Sequence, residues 1–107
     1  MGKITIHITY TGDGQNAKRF MEEMIRTGVV EKIQKEPGNI GYDYYIPVSD
    51  PHSVLLIDSW ENQEALDRHH ASPMMDAIWE LREKYDLHMR VERFAKLPGD
   101  TDKKFIR

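Results

Sequence analysis

The stretch from residue 55 to residue 75 constrains the fold of this chain more than any other part of the sequence. An apolar run, Val54–Ile57, leads into Asp58-Ser59-Trp60, and a polar turn then opens a helical segment that ends at His69-His70. An apolar run without polar alternation is typical of a strand that is buried on both faces. The stretch therefore predicts a buried strand followed at once by a helix, with a tryptophan and a histidine at its two ends.

Helix start signals flank this histidine pair. Asn62 is a favoured N-cap residue and is expected to cap the helix that ends near His70. Ser72 is expected to cap the next helix, because Pro73 follows it at the first helical position. Two helices in succession are therefore predicted after the buried strand.

The rest of the chain supplies three further strands and a long amphipathic helix. Residues 3–10 alternate with period two, which places Ile4, Ile6 and Ile8 on one face and His7 on the other. Apolar spacings of three and four predict a helix over residues 16–33, with a kink expected at Thr27-Gly28. Strands are predicted at 40–46 and 87–94. The order β-α-β-β-α-β is typical of an α+β, ferredoxin-like split βαβ fold, a four-stranded antiparallel sheet with its helices on one face.

The two-sided apolar strand also predicts an assembly. If the helices cover one face of the sheet, nothing else in 107 residues can cover the other face, so we expect a homodimer. Residues 1–94 form the predicted domain, and residues 95–107 form a C-terminal tail. Phe105 and Ile106 in this tail are expected to dock on the partner subunit, and the alternative is a frayed terminus.

Composition excludes several classes of protein. The net charge is −3 and the basic residues are scattered among acids, which argues against nucleic acid and anionic membranes as partners. The absence of cysteine excludes disulfides, thiolate metal sites and cysteine nucleophiles. No metal-binding histidine spacing occurs, so no metal is expected. No apolar run approaches the ~20 residues of a membrane span, and no signal peptide is evident, so a cytoplasmic location is expected.

His69 and Trp60 are the main candidates for a functional site. His69 is a candidate proton acceptor because imidazole titrates near neutral pH, and the alternative is a histidine that caps the carbonyls of its helix. Trp60 either stacks on an aromatic substrate or fills the core. His7 is a second candidate catalytic residue or a hydrogen-bonded strand residue. Further candidates for an apolar substrate pocket share aromatic or thioether side chains: Tyr44, Met74, Met75 and Trp79.

Three motifs together resemble the antibiotic biosynthesis monooxygenase domain family, which includes small quinol monooxygenases. They are the turn and strand of residues 36–43 (EPGNIGYD), the strand end of residues 58–61 (DSWE), and the helical segment of residues 64–69 (EALDRH) with Ser72-Pro73 after it. The resemblance covers roughly residues 3–94. It implies a ferredoxin-like subunit, a dimeric α+β barrel, and a pocket between sheet and helices.

The resemblance also implies a chemistry, the oxidation of a small aromatic quinol or phenol by O₂ without a cofactor. Many members have a second histidine directly after the Ser/Thr-Pro pair, where this chain has Met74. Haem-degrading relatives place a histidine ligand further along the helix, where this chain has Trp79, so haem is not expected. Two alternatives stay open: a non-redox isomerase or tautomerase that uses His69 and His7, and a non-catalytic dimeric binding protein.

Overall fold

The computed structural model describes residues 2–97 and 102–107; Met1 and residues 98–101, the latter part of the predicted tail, lie outside the described residues. The described strands are β1 (Ile4–Thr11), β2 (Asn39–Tyr45), β3 (Val54–Trp60) and β4 (His88–Ala95). The helices are α1 (Asn16–Arg26), α2 (Val29–Gln34), α3 (Gln63–His70) and α4 (Met74–Lys84), and a short 3₁₀ helix spans Lys103–Phe105. No helix in the described ranges is long and apolar enough to cross a membrane.

The four strands form one sheet in the order β2-β3-β1-β4, and every neighbouring pair is antiparallel. This order confirms the predicted ferredoxin-like α+β fold. The helix predicted over residues 16–33 with a kink at Thr27-Gly28 is two helices, because Gly28 takes a left-handed conformation with φ of 82° between α1 and α2. Glycine has no Cβ and adopts this conformation without steric cost.

The register of β1 against β3 decides which side chains meet the helices. Ile6 lies opposite Asp58, and Tyr10 lies opposite Val54. Successive side chains of a strand point to opposite faces, so these residues share one face with Trp60. The buried core lies between this face and apolar side chains of all four helices: Ala17, Phe20, Met24, Val29, Ile33, Ala65, Leu66, Ile78 and Leu81.

The two predicted helix caps have different outcomes. The Asn62 side-chain oxygen accepts a hydrogen bond from the backbone N–H of Ala65 at 2.9 Å, as predicted for the start of α3. The prediction for Ser72 was wrong, because no side chain caps α4 and the Ser72 hydroxyl is buried without a hydrogen-bond partner among the described residues. The backbone carbonyl of Ser72 instead accepts from the N–H of Met75.

Strand β4 lies at the edge of the sheet, and all eight of its residues are exposed. The helices make their main contacts with β1, β2 and β3. The helix-bearing side of the sheet is therefore open along β4, and a cavity lies there.

Candidate functional site

A cavity of about 490 Å³ lies between the sheet and the last two helices. Its walls are mostly apolar and come from all four strands and from α4: Ile6, Ile8, Tyr10, Tyr42, Leu56, Met75, Ile78, Trp79, Met89 and Val91. Five polar side chains complete the lining: Asp58, His69, His70, Arg82 and Arg93. An apolar pocket with a few polar groups is typical of a small-molecule site.

Trp60 contacts two of these polar groups, His69 and Asp58, from the core side of the cavity lining. Its side chain is fully buried, and its ring stacks on the His69 imidazole with centroids 4.7 Å apart and an interplanar angle of 25°. Its indole Nε1 donates a hydrogen bond to Asp58 Oδ2 at 2.8 Å. Trp60 therefore fixes both the histidine and the carboxylate, and it does so from the core rather than from the cavity lining.

His69 is buried, with 4% of its surface exposed, and its ring is held by Glu36. Nδ1 of His69 lies 3.1 and 3.2 Å from the two carboxylate oxygens of Glu36. An ionised carboxylate can only accept hydrogen bonds, so Nδ1 carries the proton and Nε2 of the neutral ring is a proton acceptor. This is the arrangement of a general base that is oriented by a carboxylate.

Asp58 brings a second titratable group to the cavity wall. Its side chain is buried, and burial raises the pKa of its carboxyl above the ordinary range, against the opposing effect of the Trp60 hydrogen bond. Its Oδ1 has no hydrogen-bond partner among the described residues. A buried carboxylate oxygen without a partner is costly unless a ligand or water supplies a donor.

Burial also shifts the pKa values of His70 and Tyr42, which line the cavity. Burial and the neighbouring His69 lower the pKa of the His70 imidazole. Burial raises the pKa of the Tyr42 hydroxyl well above its usual value. Burial therefore favours the neutral forms of His70 and Tyr42, and the two arginines bring fixed positive charge to the cavity lining.

Three of the seven residues predicted for the site line the cavity. These are His69, Met75 and Trp79, and the Trp79 side chain is 57% exposed at the mouth. Trp60 contacts the site through His69. Met74 packs against the core and does not line the cavity.

His7 and Tyr44 lie elsewhere. His7 is on the opposite face of the sheet because strand alternation turns it away from Ile6, and its ring packs against Phe94 with centroids 4.6 Å apart. Tyr44 shares the helix face with Tyr42 but contacts Phe20 of α1, away from the cavity. The predicted pairing of His7 with His69 is therefore not present in this subunit.

Glu36, Asp58 and Arg82 were not predicted as site residues. Glu36 and Asp58 belong to the motifs that carry the family resemblance, but 33 residues separate Glu36 from His69. An acidic residue at the end of an otherwise apolar buried strand was the available signal for Asp58. Among the described residues, no three His, Asp or Glu side chains are arranged to hold a metal ion.

Comparison with known proteins identifies the family. The family model for antibiotic biosynthesis monooxygenase matches residues 3–81. The chain belongs to the antibiotic biosynthesis monooxygenase family. A search of curated protein sequences gives no match.

Solved structures share the fold of this family member. SnoaB of Streptomyces nogalater, a cofactor-independent oxygenase, is 17% identical, with 92% of this chain and 97% of SnoaB covered and a TM-score of 0.74. A conserved protein of Methanosarcina mazei is 21% identical, with 91% and 95% covered and a TM-score of 0.77. A protein of Pseudomonas aeruginosa is 22% identical, with 92% and 97% covered and a TM-score of 0.75. Likeness at these identities establishes the fold alone.

Proposed function

We propose that this protein is a monooxygenase that oxidises a small aromatic quinol or phenol with O₂ and without a cofactor. The observation that carries the proposal is a buried histidine, oriented by Glu36 and backed by Trp60, in the wall of a mostly apolar cavity. Family membership and the shared fold with SnoaB, a cofactor-independent oxygenase, support the same chemistry.

The reaction needs a proton acceptor and a dry pocket. His69 Nε2 takes the hydroxyl proton of the quinol, and the resulting anion is electron-rich enough to pass one electron to O₂. Recombination of the radical pair forms a C–O bond and gives a peroxide anion, which takes the proton back from His69. Cleavage of the O–O bond and of the C–H bond at the same carbon then releases water and leaves a carbonyl. One oxygen atom enters the ring and the other leaves as water. The substrate supplies all four electrons, so no other reductant is required.

The apolar walls favour this chemistry because they exclude water from the anion. Met75, Met89 and Trp79 offer soft and aromatic contacts to a flat ring. The cavity volume lies within the usual range for small-molecule sites.

Oxygen uptake tests the proposal. The purified, metal-stripped protein is assayed with naphthohydroquinones and anthrones against autoxidation without protein. We expect uptake above this baseline, and a loss of about 10²–10⁴-fold in His69→Ala. His52→Ala is the matched control, because His52 is exposed in the loop between β2 and β3, does not line the cavity, and should leave uptake unchanged. Absence of protein-dependent uptake across the panel would reject the monooxygenase.

The tautomerase alternative now depends on Asp58 instead of His7. Asp58 and His69 both contact Trp60, so two proton-transfer groups lie near one another in the cavity wall. A tautomerase would turn over without O₂. Proton exchange of an anthrone in deuterated buffer under argon, with no oxygen uptake in air, would favour it over the oxygenase. In a non-catalytic binding protein, His69→Ala would alter stability and no turnover would be measurable.

We also propose that the protein is a homodimer formed through the face of the sheet that the helices do not cover. Leu55 and Ile57 are half-buried on this face in the single chain, and Phe94 is exposed beside them. Phe105 and Ile106 are 79% and 72% exposed, so the tail has apolar surface for a partner subunit. Sedimentation velocity gives the oligomeric state of the full chain, which tests the dimer, and of a chain that ends at Leu97, which tests the role of the tail. A monomer in both cases would reject them.

A further inference from the structure

Two guanidinium groups in the cavity lining form no ion pair with any acidic side chain in the part of the chain that the structure describes. None of the ion pairs in the described ranges includes Arg82 or Arg93. Surface cations of the same chain do pair, as Arg68 does with Glu64 at 3.2 Å and Lys84 with Glu23 at 2.8 Å. Arginine keeps its charge at any relevant pH, so Arg82 and Arg93 bring two fixed positive charges to a lining whose acidic side chain is Asp58.

Arg82 is held in a fixed position by aromatic neighbours. Its Nη2 donates a hydrogen bond to the Tyr10 hydroxyl at 3.3 Å. Its guanidinium lies 5.1 Å from the centre of the Trp79 ring and 5.7 Å from that of Tyr10. Its Nε is buried and has no partner among the described residues. Because Nε has no exposed surface, the N–H groups left for a ligand in the cavity are those on the Nη atoms, which can bind a planar anion through two parallel hydrogen bonds.

Arg82 and the proposed base lie towards different ends of the cavity. Arg82 donates to Tyr10, whereas Asp58 lies opposite Ile6 and Trp60 lies opposite Ile4 on the same strand. Four residues of strand separate Ile6 from Tyr10, or about 13 Å along the sheet. A ligand that contacts both Arg82 and His69 would carry its anionic group and its hydroxyl at separate positions.

Arg93 is the less suitable anchor. It pairs with Ile6 in the sheet and so lies at the same level as Asp58. Its guanidinium already donates to the side-chain oxygen of Gln63. Arg82 is therefore the group that can bind an anion at the end away from His69.

We propose that this site takes an aromatic acid, a fused-ring phenol or quinol whose carboxylate is bound by Arg82. The proposal rests on the proposed function for the role of the hydroxyl, and it names the class of substrate. The ring system lies along the apolar walls between Trp79 and Met89, with its hydroxyl towards His69 and its carboxylate towards Tyr10.

Equilibrium binding tests this proposal without any turnover. Isothermal titration calorimetry under argon compares a hydroxynaphthoate, whose hydroxyl and carboxylate lie at opposite ends of the ring system, with its neutral carboxamide. We expect the acid to bind about tenfold more tightly or better, since a charge-assisted hydrogen bond contributes that much. Arg82→Gln should reduce the affinity for the acid to that for the carboxamide, and Arg82→Lys should restore part of it.

The carboxamide also controls for folding, because Arg82→Gln should bind it as the wild type does. Arg68→Gln is the matched control, since Arg68 is paired with Glu64 on the surface of α3 and should change neither affinity. Equal affinities for acid and carboxamide in the wild type would overturn the proposal. Loss of the preference in Arg93→Gln but not in Arg82→Gln would overturn the assignment to Arg82.

The binding experiment and the oxygen assay can fail separately. A preference for the acid that depends on Arg82, without oxygen uptake on any quinol, would keep the aromatic-acid site and reject the oxygenase. Oxygen uptake on neutral quinols, without a preference for the acid, would keep the oxygenase and reject the role of Arg82.

Discussion

Replacement of Gly38 by alanine should destabilise the protein more than replacement of any other glycine with positive φ. Gly38 follows Pro37 in the turn that carries Glu36, and its φ is +84°. An alanine there costs about 1–2 kcal/mol from the left-handed backbone alone. Its Cβ would also lie 2.5 Å from the Cβ of Ala65, a buried residue of α3. Overpacking of this kind adds typically about 1–3 kcal/mol.

Gly28 provides a matched control for the backbone contribution. Its φ is +82°, nearly that of Gly38, but nothing lies within 4 Å of a Cβ built on it. We therefore expect Gly28→Ala to lower the free energy of unfolding by about 1–2 kcal/mol, and Gly38→Ala to lower it by about 2–5 kcal/mol. The difference between the two measures the contact with Ala65.

Urea unfolding of four variants measures this contact directly. Ala65→Gly alone should cost about 1 kcal/mol as a glycine within a helix. Added to Gly38→Ala it should instead recover stability, because it removes the atom that the new Cβ overlaps. Equal losses in Gly38→Ala and Gly28→Ala, or additive losses in the double variant, would refute the close approach of the turn to α3.

Three further predictions concern the polar groups around the indole. Trp60→Phe should lower the free energy of unfolding by about 1–3 kcal/mol beyond the loss of packing, because it leaves Asp58 Oδ2 without its donor. Urea unfolding measures this loss, and an unchanged stability would contradict the hydrogen bond. Glu36→Gln should lower oxygen uptake by about tenfold with the fold intact, because an amide can orient His69 but lacks the negative charge that stabilises the protonated ring. Full activity in this variant would remove Glu36 from the mechanism. Since burial raises the pKa of the Asp58 carboxyl in the folded state, the native protein binds this proton more tightly than the unfolded chain. Stability from this group is therefore present at low pH and is lost as pH rises from the ordinary carboxyl value through the raised one. Asp58→Asn should gain stability relative to the wild type over that window, measured by thermal unfolding across pH, and parallel curves would contradict the burial effect.

Local sequence signals predicted the order of elements and the start of α3, because strand alternation and the Asn62 cap depend on neighbouring residues. His69 was a candidate because imidazole transfers protons near neutral pH and because the family resemblance favoured it, and the structure places it in the cavity lining. The same alternation put His7 on the face opposite Ile6, but it could not decide which face the helices cover.

The missed residues depend on contacts between distant segments. Glu36 meets His69 only because Gly38 lets the turn approach α3, and no local pattern encodes that approach. The sequence did not indicate a role for Asp58, because its hydrogen bond to Trp60 has no local signal and Trp60 was interpreted as a substrate contact or a core residue. The sequence of α4 gives no local signal for Arg82, because its place in the cavity depends on the hydrogen bond that Tyr10 of β1 accepts from it.

The proposed base lies in the last turn of α3, an eight-residue helix that would be marginal in isolation. Only three of its side chains are buried, so this helix can open at a lower free energy than the sheet beneath it. Opening would carry His69 away from Trp60 while most of the fold persisted. Activity should then disappear in mild urea before the global unfolding transition. The working lifetime of the protein would therefore depend on how often α3 opens.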